Sequence, residues 1–254
     1  MRVAQVALHT LRETVRDRVF LVSLFFAAAL IAGSLAVSSL AAGQQDKVIK
    51  DLGLGAISMI GLLLSVFVGA SLVHREVQRR TIYTLLARPV SRMEYVAGKY
   101  AGMALTLALN VAIMAAFFGL LVHFHLHSLR WAHLVAIYMI GLELAVVAAY
   151  SILFSVVASP VIGAFFTLSI YFVGHLVTDI RGFADMLPSE TAAALVRGIC
   201  LLLPNLEIFD VKGMAVYGKT IEPALVGNAT LYGVLYAAGV VLVAAALFRR
   251  KDLK

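Results

Sequence analysis

The chain alternates long apolar stretches with short polar ones, and six of the apolar stretches are 19 to 25 residues long. An α-helix needs about 20 apolar residues to cross the hydrocarbon core of a bilayer. The pattern therefore predicts an all-α polytopic membrane protein with six transmembrane helices. Pro160 separates the fourth span from the fifth, because proline cannot continue a helix without losing a hydrogen bond. The predicted spans are 19–42, 52–73, 101–122, 134–158, 160–178 and 224–248.

The composition also indicates a chain embedded in lipid. Of its 254 residues, 62% are hydrophobic and 14% are charged, and the mean hydropathy is +0.95. A typical soluble domain is about half apolar and a quarter charged, so a soluble enzyme, a disordered chain and a disulfide scaffold are excluded. The length fits a single membrane domain over 1–254. The one cysteine, Cys200, allows neither an internal disulfide nor a cysteine-built metal site.

The positive charges are distributed unequally between the two sides of the predicted membrane domain. Alternate connecting segments carry 14 Lys and Arg residues on one side and 7 on the other. Loops rich in Lys and Arg stay in the cytoplasm, so both termini and the 74–100 loop are predicted to be cytoplasmic. The segment 179–223 then lies outside the cell membrane.

The first 18 residues form an amphipathic pattern. Val3, Val6, Ala7, Leu11 and Val15 recur at helical spacing, whereas Arg12 and Arg16 fall on the opposite face. The pattern predicts an N-terminal interface helix that lies along the membrane surface. A helix that merely orients the first span would show the same pattern, and this alternative stays open. In both cases the two arginines lie near lipid phosphates.

The loop 74–100 is too patterned for a plain connector. The second span is predicted to continue as a helix through residues 74–87, and Pro89 ends it. Ser91 and Glu94 then form a Ser-x-x-Glu capping box, which starts a new helix. The expected result is a helical elbow that docks on a cytoplasmic partner, although a solvated basic loop that only fixes topology is the alternative. The predicted docking residues are Glu76, Arg79, Arg80, Thr81, Arg88, Pro89, Ser91, Arg92 and Glu94.

This loop resembles the permease subunit of ABC-2 type transporters, which have an acidic residue, a Thr, a Leu-Leu, a Pro-Val-Ser-Arg and a Gly-Lys before the third span. Residues 203–209 and 248–253 resemble its NosY-like subgroup, the permeases of multicopper-enzyme maturation. The residues that carry the first likeness are Glu76, Thr81, Leu85, Leu86, Pro89, Val90, Ser91, Arg92, Gly98 and Lys99.

The resemblance implies one subunit of an exporter in the cell inner membrane. Two permease chains, expected as a homodimer, would form the pathway, and separate ABC ATP-binding subunits would bind ATP and Mg²⁺. The permease itself would be non-catalytic, hold no cofactor and bind no nucleic acid. The 74–100 elbow would couple it to those subunits, and 179–223 would form short re-entrant or interfacial helices.

Residues 213–220 match the phosphate-binding pattern G-x-x-x-x-G-K-[ST] in full. A real phosphate loop follows a strand and opens a helix. Here Pro223 and a membrane span follow directly, and the segment is predicted to lie outside the cytoplasm. We therefore interpret the match as coincidental.

Other polar residues are candidates for the transport pathway. Glu143 is the one carboxylate inside a predicted span, and a buried charge at that depth is costly. It is either a pore or gating residue or a structural hydrogen-bonding group, and the sequence does not show whether it meets His175. Asn205, Glu207 and Asp210 either contact an exported substrate or an extracytoplasmic partner, or cap local turns.

A histidine cluster adjoins the third and fourth spans at their predicted outer end. His123, His125 and His127 are weak metal candidates, because imidazole binds copper and zinc but the spacing fits no standard site. A polar cap for two apolar helices is the favoured interpretation. The function classes that compete with the permease are an autonomous channel or secondary transporter and an intramembrane enzyme centred on Glu143 and nearby histidines.

Overall fold

The structure is a computed structural model that describes residues 2–38, 43–78, 91–126, 130–187 and 189–250. Within these ranges every regular element is a helix, so the all-α prediction is confirmed. A short 3₁₀ helix spans Glu207–Phe209. The α-helices are α1 (Arg2–Val15), α2 (Arg18–Ser38), α3 (Gln45–Gln78), α4 (Arg92–Leu126), α5 (Trp131–Val157), α6 (Pro160–Ala184), α7 (Glu190–Leu202), α8 (Lys212–Val216) and α9 (Pro223–Arg250).

Six helices, α2 to α6 and α9, are long and apolar enough to cross a membrane. This confirms the predicted number of spans among the described residues. The helices are mostly longer than the apolar stretches: α4 has 35 residues and begins at Arg92 rather than at residue 101. At 1.5 Å per residue α4 is about 52 Å long, more than the ~30 Å hydrocarbon core. Its polar first turns therefore extend beyond the apolar layer.

The centre of the bundle is formed by α3 and α5. Their closest approach uses small residues: the hydroxyl of Ser151 donates a hydrogen bond to the carbonyl of Val66 over 3.2 Å, and a Cβ added to Gly69 would collide with Ser151. Small residues at helix contacts let backbones approach closely where lipid supplies no hydrophobic driving force between helices. The remaining spans pack around this pair and leave many apolar side chains on the outer surface.

The two ends of the bundle differ. We call one end the proximal face; it holds α1, the start of α4 and the end of α9. We call the other end the distal face; it holds the start of α3, the end of α4, the start of α5 and the end of α6.

Residues 190–216 enter the bundle from the distal face and return to it. They form two helical arms bent by 55°. The turn between them lies part-way along α9 at the surface of the bundle, where the hydroxyl of Tyr236 donates to the carbonyl of Leu202 over 2.9 Å. Tyr236 is 13 residues into α9, about 20 Å from its distal start. The second arm ends back at the distal face, where the ammonium of Lys47 lies 5.1 Å from the ring centre of Tyr217. We call 190–216 the re-entrant segment.

Candidate functional site

The predicted capping box at the start of α4 is confirmed. The backbone N–H of Ser91 donates to Oε2 of Glu94 over 2.8 Å. The backbone N–H of Glu94 in turn donates to Oγ of Ser91 over 3.1 Å. The pair satisfies two backbone donors that a helix start otherwise leaves free. The beginning of α4 is therefore defined by its own sequence.

The next residue, Arg92, joins this helix start to the end of the last span. Its guanidinium Nη1 donates to the carbonyl of Arg249 over 3.1 Å and to that of Phe248 over 3.4 Å. The last carbonyls of a helix carry partial negative charge and have no partner within the helix. Tyr95 and Phe248 stack beneath this contact with ring centres 5.6 Å apart. The two helix ends thus form one polar and aromatic joint.

The N-terminal helix α1 packs tightly across α4. A Cβ added to Gly98 would lie 2.6 Å from Cβ of Val6, and one added to Gly102 would lie 2.5 Å from Cβ of Thr10. Thr10 and Thr14 are buried in this contact, and their hydroxyls donate to backbone carbonyls within α1. Sequence reasoning missed this glycine contact. The spacing of the two glycines, a small-xxx-small pattern on a membrane helix, is the signal that would have indicated it.

A buried lysine also joins the two helices. The ammonium of Lys99 lies 3.8 Å from Oε2 of Glu13, and the lysine side chain is 1% exposed. Arg12 and Arg16 are exposed, but α1 ends at Val15, so Arg16 lies in the turn before α2.

The remaining docking residues are only partly within the described ranges. Glu76 lies in the last turns of α3, which extends the second span as predicted as far as Gln78. The other predicted docking residues lie outside the described residues; they are Arg79, Arg80, Thr81, Arg88 and Pro89.

Glu143 lies near the middle of α5 and is fully buried. Its Oε1 is 3.4 Å from Nε2 of His175 on α6, so the structure brings together the two ionisable residues whose contact the sequence leaves open. Neither carboxylate oxygen makes a well-aligned hydrogen bond among the described residues. The phenol of Tyr171 interacts with both Glu143 and Ser58. A carboxylate at this depth has a strong requirement for a proton or a partner.

Two charges from the re-entrant segment act on Glu143 electrostatically. They are Asp210 and Lys212, whose own side chains lie 3.7 Å apart. Lys212 also lines a cleft of about 550 Å³ between α2 and α3, which Asp51 and Ser34 line as well. Lys212 of the re-entrant segment thus lines an open groove, while its charge and that of Asp210 both reach the buried Glu143.

The other candidates of this segment occupy different positions. Asn205 lies in the turn between the two arms, where its backbone N–H donates to the hydroxyl of Tyr232 over 2.8 Å; its side-chain Oδ1 is buried without a hydrogen bond among the described residues. Glu207 and Asp210 are exposed. The structure therefore separates the three: Asn205 holds the turn, whereas the two carboxylates lie on its accessible surface.

Comparison with known proteins identifies the family. The family model described as ABC-2 family transporter protein matches residues 4–253. The chain belongs to the ABC-2 transporter family. It is therefore the membrane permease component of an ABC transporter, as the resemblance of the 74–100 loop predicts. No curated protein matches the sequence.

In this permease the segment that matches a phosphate-binding pattern has the wrong local structure for one. Residues before Gly213 form a 3₁₀ helix and the start of α8 rather than a strand. Gly218 adopts a positive φ of 69° in the turn that follows, and Pro223 begins the last span. A phosphate loop needs a helix that starts directly after the glycine-rich turn. Here four residues without helical structure separate Gly218 from that proline.

The histidine cluster of the permease does not converge within the described residues. His123 and His125 lie at the end of α4, and His127 lies outside the described residues. His133 is buried and interacts through Nδ1 with the backbone of Arg130 at the start of α5. Across the described ranges no three His, Cys, Asp or Glu side chains are grouped as a metal ion requires.

Proposed function

We propose that this chain is the permease subunit of an exporter and that its proximal face receives the force of ATP hydrolysis from separate ATP-binding subunits. The observation that carries the proposal is the joint at the proximal face. There α1, the capped start of α4 and the end of α9 are connected by Arg92, by Lys99 and by the contact of Gly98 and Gly102 with α1.

A partner that moves the elbow would move three helices together. The elbow leads directly into Ser91, and this residue is bonded reciprocally to Glu94. Displacement at residues 79–90 is therefore passed to α4, and from α4 to α1 and α9. A loop that only fixed topology would need no such connection.

The charge distribution supports a cytoplasmic position for the proximal face. The described residues nearest both termini and on either side of 79–90 lie at that face, and the sequence segments to which they belong hold most of the Lys and Arg residues. By the positive-inside rule the distal face, with its re-entrant segment, is extracytoplasmic. Glu207 and Asp210 would then face an exported substrate or an extracytoplasmic partner.

Three further features follow from the resemblance. The permease acts as a homodimer in the cell inner membrane, ATP and Mg²⁺ are held by the partner subunits, and the system serves maturation of a multicopper enzyme. The likeness of residues 203–209 and 248–253 to NosY-like permeases supports the last point.

The test is a pull-down of the tagged permease from membranes in mild detergent, followed by an ATPase assay. Arg79→Glu combined with Arg88→Glu reverses two charges of the elbow, and we expect it to abolish recovery of the ATPase. The matched control reverses two charges of the re-entrant and distal region, Arg197→Glu with Lys219→Glu, and should retain the ATPase. Absence of any ATPase with the unmodified chain would contradict the proposal, as would equal recovery with both variants.

A further inference from the structure

The contact between Glu143 and His175 has a geometry that fixes how many protons it holds. Nδ1 of His175 lies 3.0 Å from the backbone carbonyl of Tyr171. A carbonyl oxygen only accepts hydrogen bonds, so Nδ1 carries a hydrogen and donates it. The other ring nitrogen, Nε2, is therefore the one that faces Oε1 of Glu143 at 3.4 Å.

Without a further proton this contact would place two acceptors against each other. A neutral imidazole with its hydrogen on Nδ1 presents a lone pair at Nε2, and an ionised carboxylate also presents only lone pairs. Two such groups repel, and water screens them only partly, because the side chain of Glu143 is 1% exposed and that of His175 is 24% exposed. A single proton between them removes the repulsion, whichever of the two groups carries it.

We propose that Glu143 and His175 form a proton-binding site that holds the re-entrant segment in place. With one proton shared, α5 and α6 are joined at mid-depth. Loss of that proton to water at the distal face leaves a carboxylate facing a neutral imidazole, and the contact separates. This inference rests on the proposed function only for its consequence, which is that the position of the re-entrant segment at the extracytoplasmic face depends on proton binding.

The re-entrant segment is attached beside this site. The backbone N–H of Leu206 donates to the carbonyl of Gly174 over 3.0 Å, and Gly174 is the residue before His175. A Cβ added to Gly174 would lie 2.8 Å from Cγ of Leu206, so the turn contacts the bare backbone of α6. A shift of His175 therefore acts on the peptide that holds the turn.

The charged and titratable groups around Glu143 come from two elements besides α5. His175 and Tyr171 lie on α6, and Asp210 and Lys212 lie on the re-entrant segment. From α3 the hydroxyl of Ser58 reaches the site through Tyr171. Asp210 and Lys212 carry opposite charges 3.7 Å apart, so they largely offset one another. Glu143 and His175 are in direct contact with each other. In the proposal, the attachment of the re-entrant segment depends on the proton that they share.

The native cysteine provides the measurement. Cys200 lies on the first arm of the re-entrant segment and is 1% exposed, so its labelling by a maleimide reports release of that arm. The assay uses the purified full-length chain in lipid nanodiscs between pH 6 and pH 9, without an ATPase. Its outcome is therefore independent of the pull-down that tests the proposed function.

The comparison variant is Glu143→Gln, whose amide donates to Nε2 of His175 at every pH. Dividing the labelling rate of the unmodified chain by that of this variant removes the pH dependence of the maleimide reaction itself. We expect the ratio to rise about tenfold with increasing pH, because opening of a local segment follows the free energy of the contact that closes it. A ratio that is constant over the whole range would overturn the proposal.

Two further variants keep the test decisive if Glu143→Gln does not fold. In His175→Gln the amide donates a hydrogen to an ionised Glu143 and accepts one from a protonated Glu143. The contact therefore persists in both states, and the labelling rate of this variant can serve as the reference in place of Glu143→Gln. Gly174→Ala should expose Cys200 at every pH, because the added methyl group displaces Leu206. If Gly174→Ala is labelled as slowly as the unmodified chain, the attachment of the re-entrant segment to α6 is refuted.

Discussion

The two faces of this permease are held together in different ways. At the proximal face the polar groups described above have partners: Ser91 and Glu94 bond reciprocally, and Arg92 reaches the last carbonyls of α9. In the distal half, the carboxylate oxygens of Glu143 and the side-chain oxygen of Asn205 are buried without well-aligned hydrogen bonds to the part of the chain that the structure describes. Fully satisfied polar networks make a structure rigid, whereas partly satisfied ones are costly to keep. The difference favours a rigid proximal joint, and it is in the distal half that we propose a contact that depends on a proton.

The largest effect should come from separating α1 from α4. Gly102→Ala places a methyl group 2.5 Å from Cβ of Thr10 and 2.7 Å from the carbonyl of Ala7. Overpacking of this kind costs about 1–3 kcal/mol, and we expect both a lower melting temperature and the loss of most coupled ATPase activity. Gly119→Ala on the same helix is the control, because its added Cβ meets no atom within 4 Å. Equal behaviour of the two variants would show that the glycine contact is unimportant.

A smaller effect is expected at the joint between α4 and α9. Arg92→Ala removes charge-assisted hydrogen bonds to two helix-terminal carbonyls, which should destabilise the chain by about 1–2 kcal/mol. The measurement is thermal unfolding in detergent, with ATPase stimulation measured in parallel. Arg92→Lys restores the charge but not the guanidinium, so it should recover part of the stability. If the alanine variant is as stable as the unmodified chain, Arg92 does not stabilise the contact between α4 and α9.

The capping box should contribute less. Ser91→Ala deletes the acceptor for the N–H of Glu94, and loss of an N-cap costs about 1 kcal/mol. We expect local fraying at the start of α4, visible as faster hydrogen exchange of its first-turn amides. Ser91→Asp keeps a capping oxygen and should exchange at the original rate. If the first-turn amides of the alanine variant exchange as slowly as those of the unmodified chain, the capping box does not stabilise the start of α4.

The smallest effect is expected at the distal surface. Arg197 and Asp185 form an ion pair with atoms 2.6 Å apart, but both side chains are more than half exposed. Exposed pairs contribute about 0.2–1 kcal/mol, so Arg197→Ala should leave both melting temperature and ATPase recovery almost unchanged. A large loss would show that the distal surface is part of a rigid interface, and the contrast between the faces would fail.

Much of the fold can be predicted from the sequence, because a helix that crosses lipid needs a long stretch of apolar residues. The six spans follow from apolar stretches of membrane length, and the start of α4 follows from a four-residue capping pattern. Glu143 is conspicuous because it is the one carboxylate in those stretches. These features depend on local chemistry, so no knowledge of neighbouring helices is needed to find them.

The remaining features depend on contacts between distant residues. The apolar pattern of α1 points to Val3, Val6 and Leu11, whereas the fully buried positions include Thr10 and Thr14. Threonine is buried here because its hydroxyl bonds within α1 and the glycines of α4 leave room for it. In the same way the meeting of Glu143 with His175 depends on how α5 packs against α6, which no local pattern contains.

The depth of the re-entrant segment has a consequence for biogenesis. Its turn carries backbone groups that are satisfied by Tyr232 and Tyr236 of α9 and by Gly174 of α6. Unpaired backbone groups are very costly in hydrocarbon, and α9 is synthesised after the segment. We therefore expect the segment to stay at the membrane surface during translation and to dock as a final step of assembly, once the last helix has been inserted.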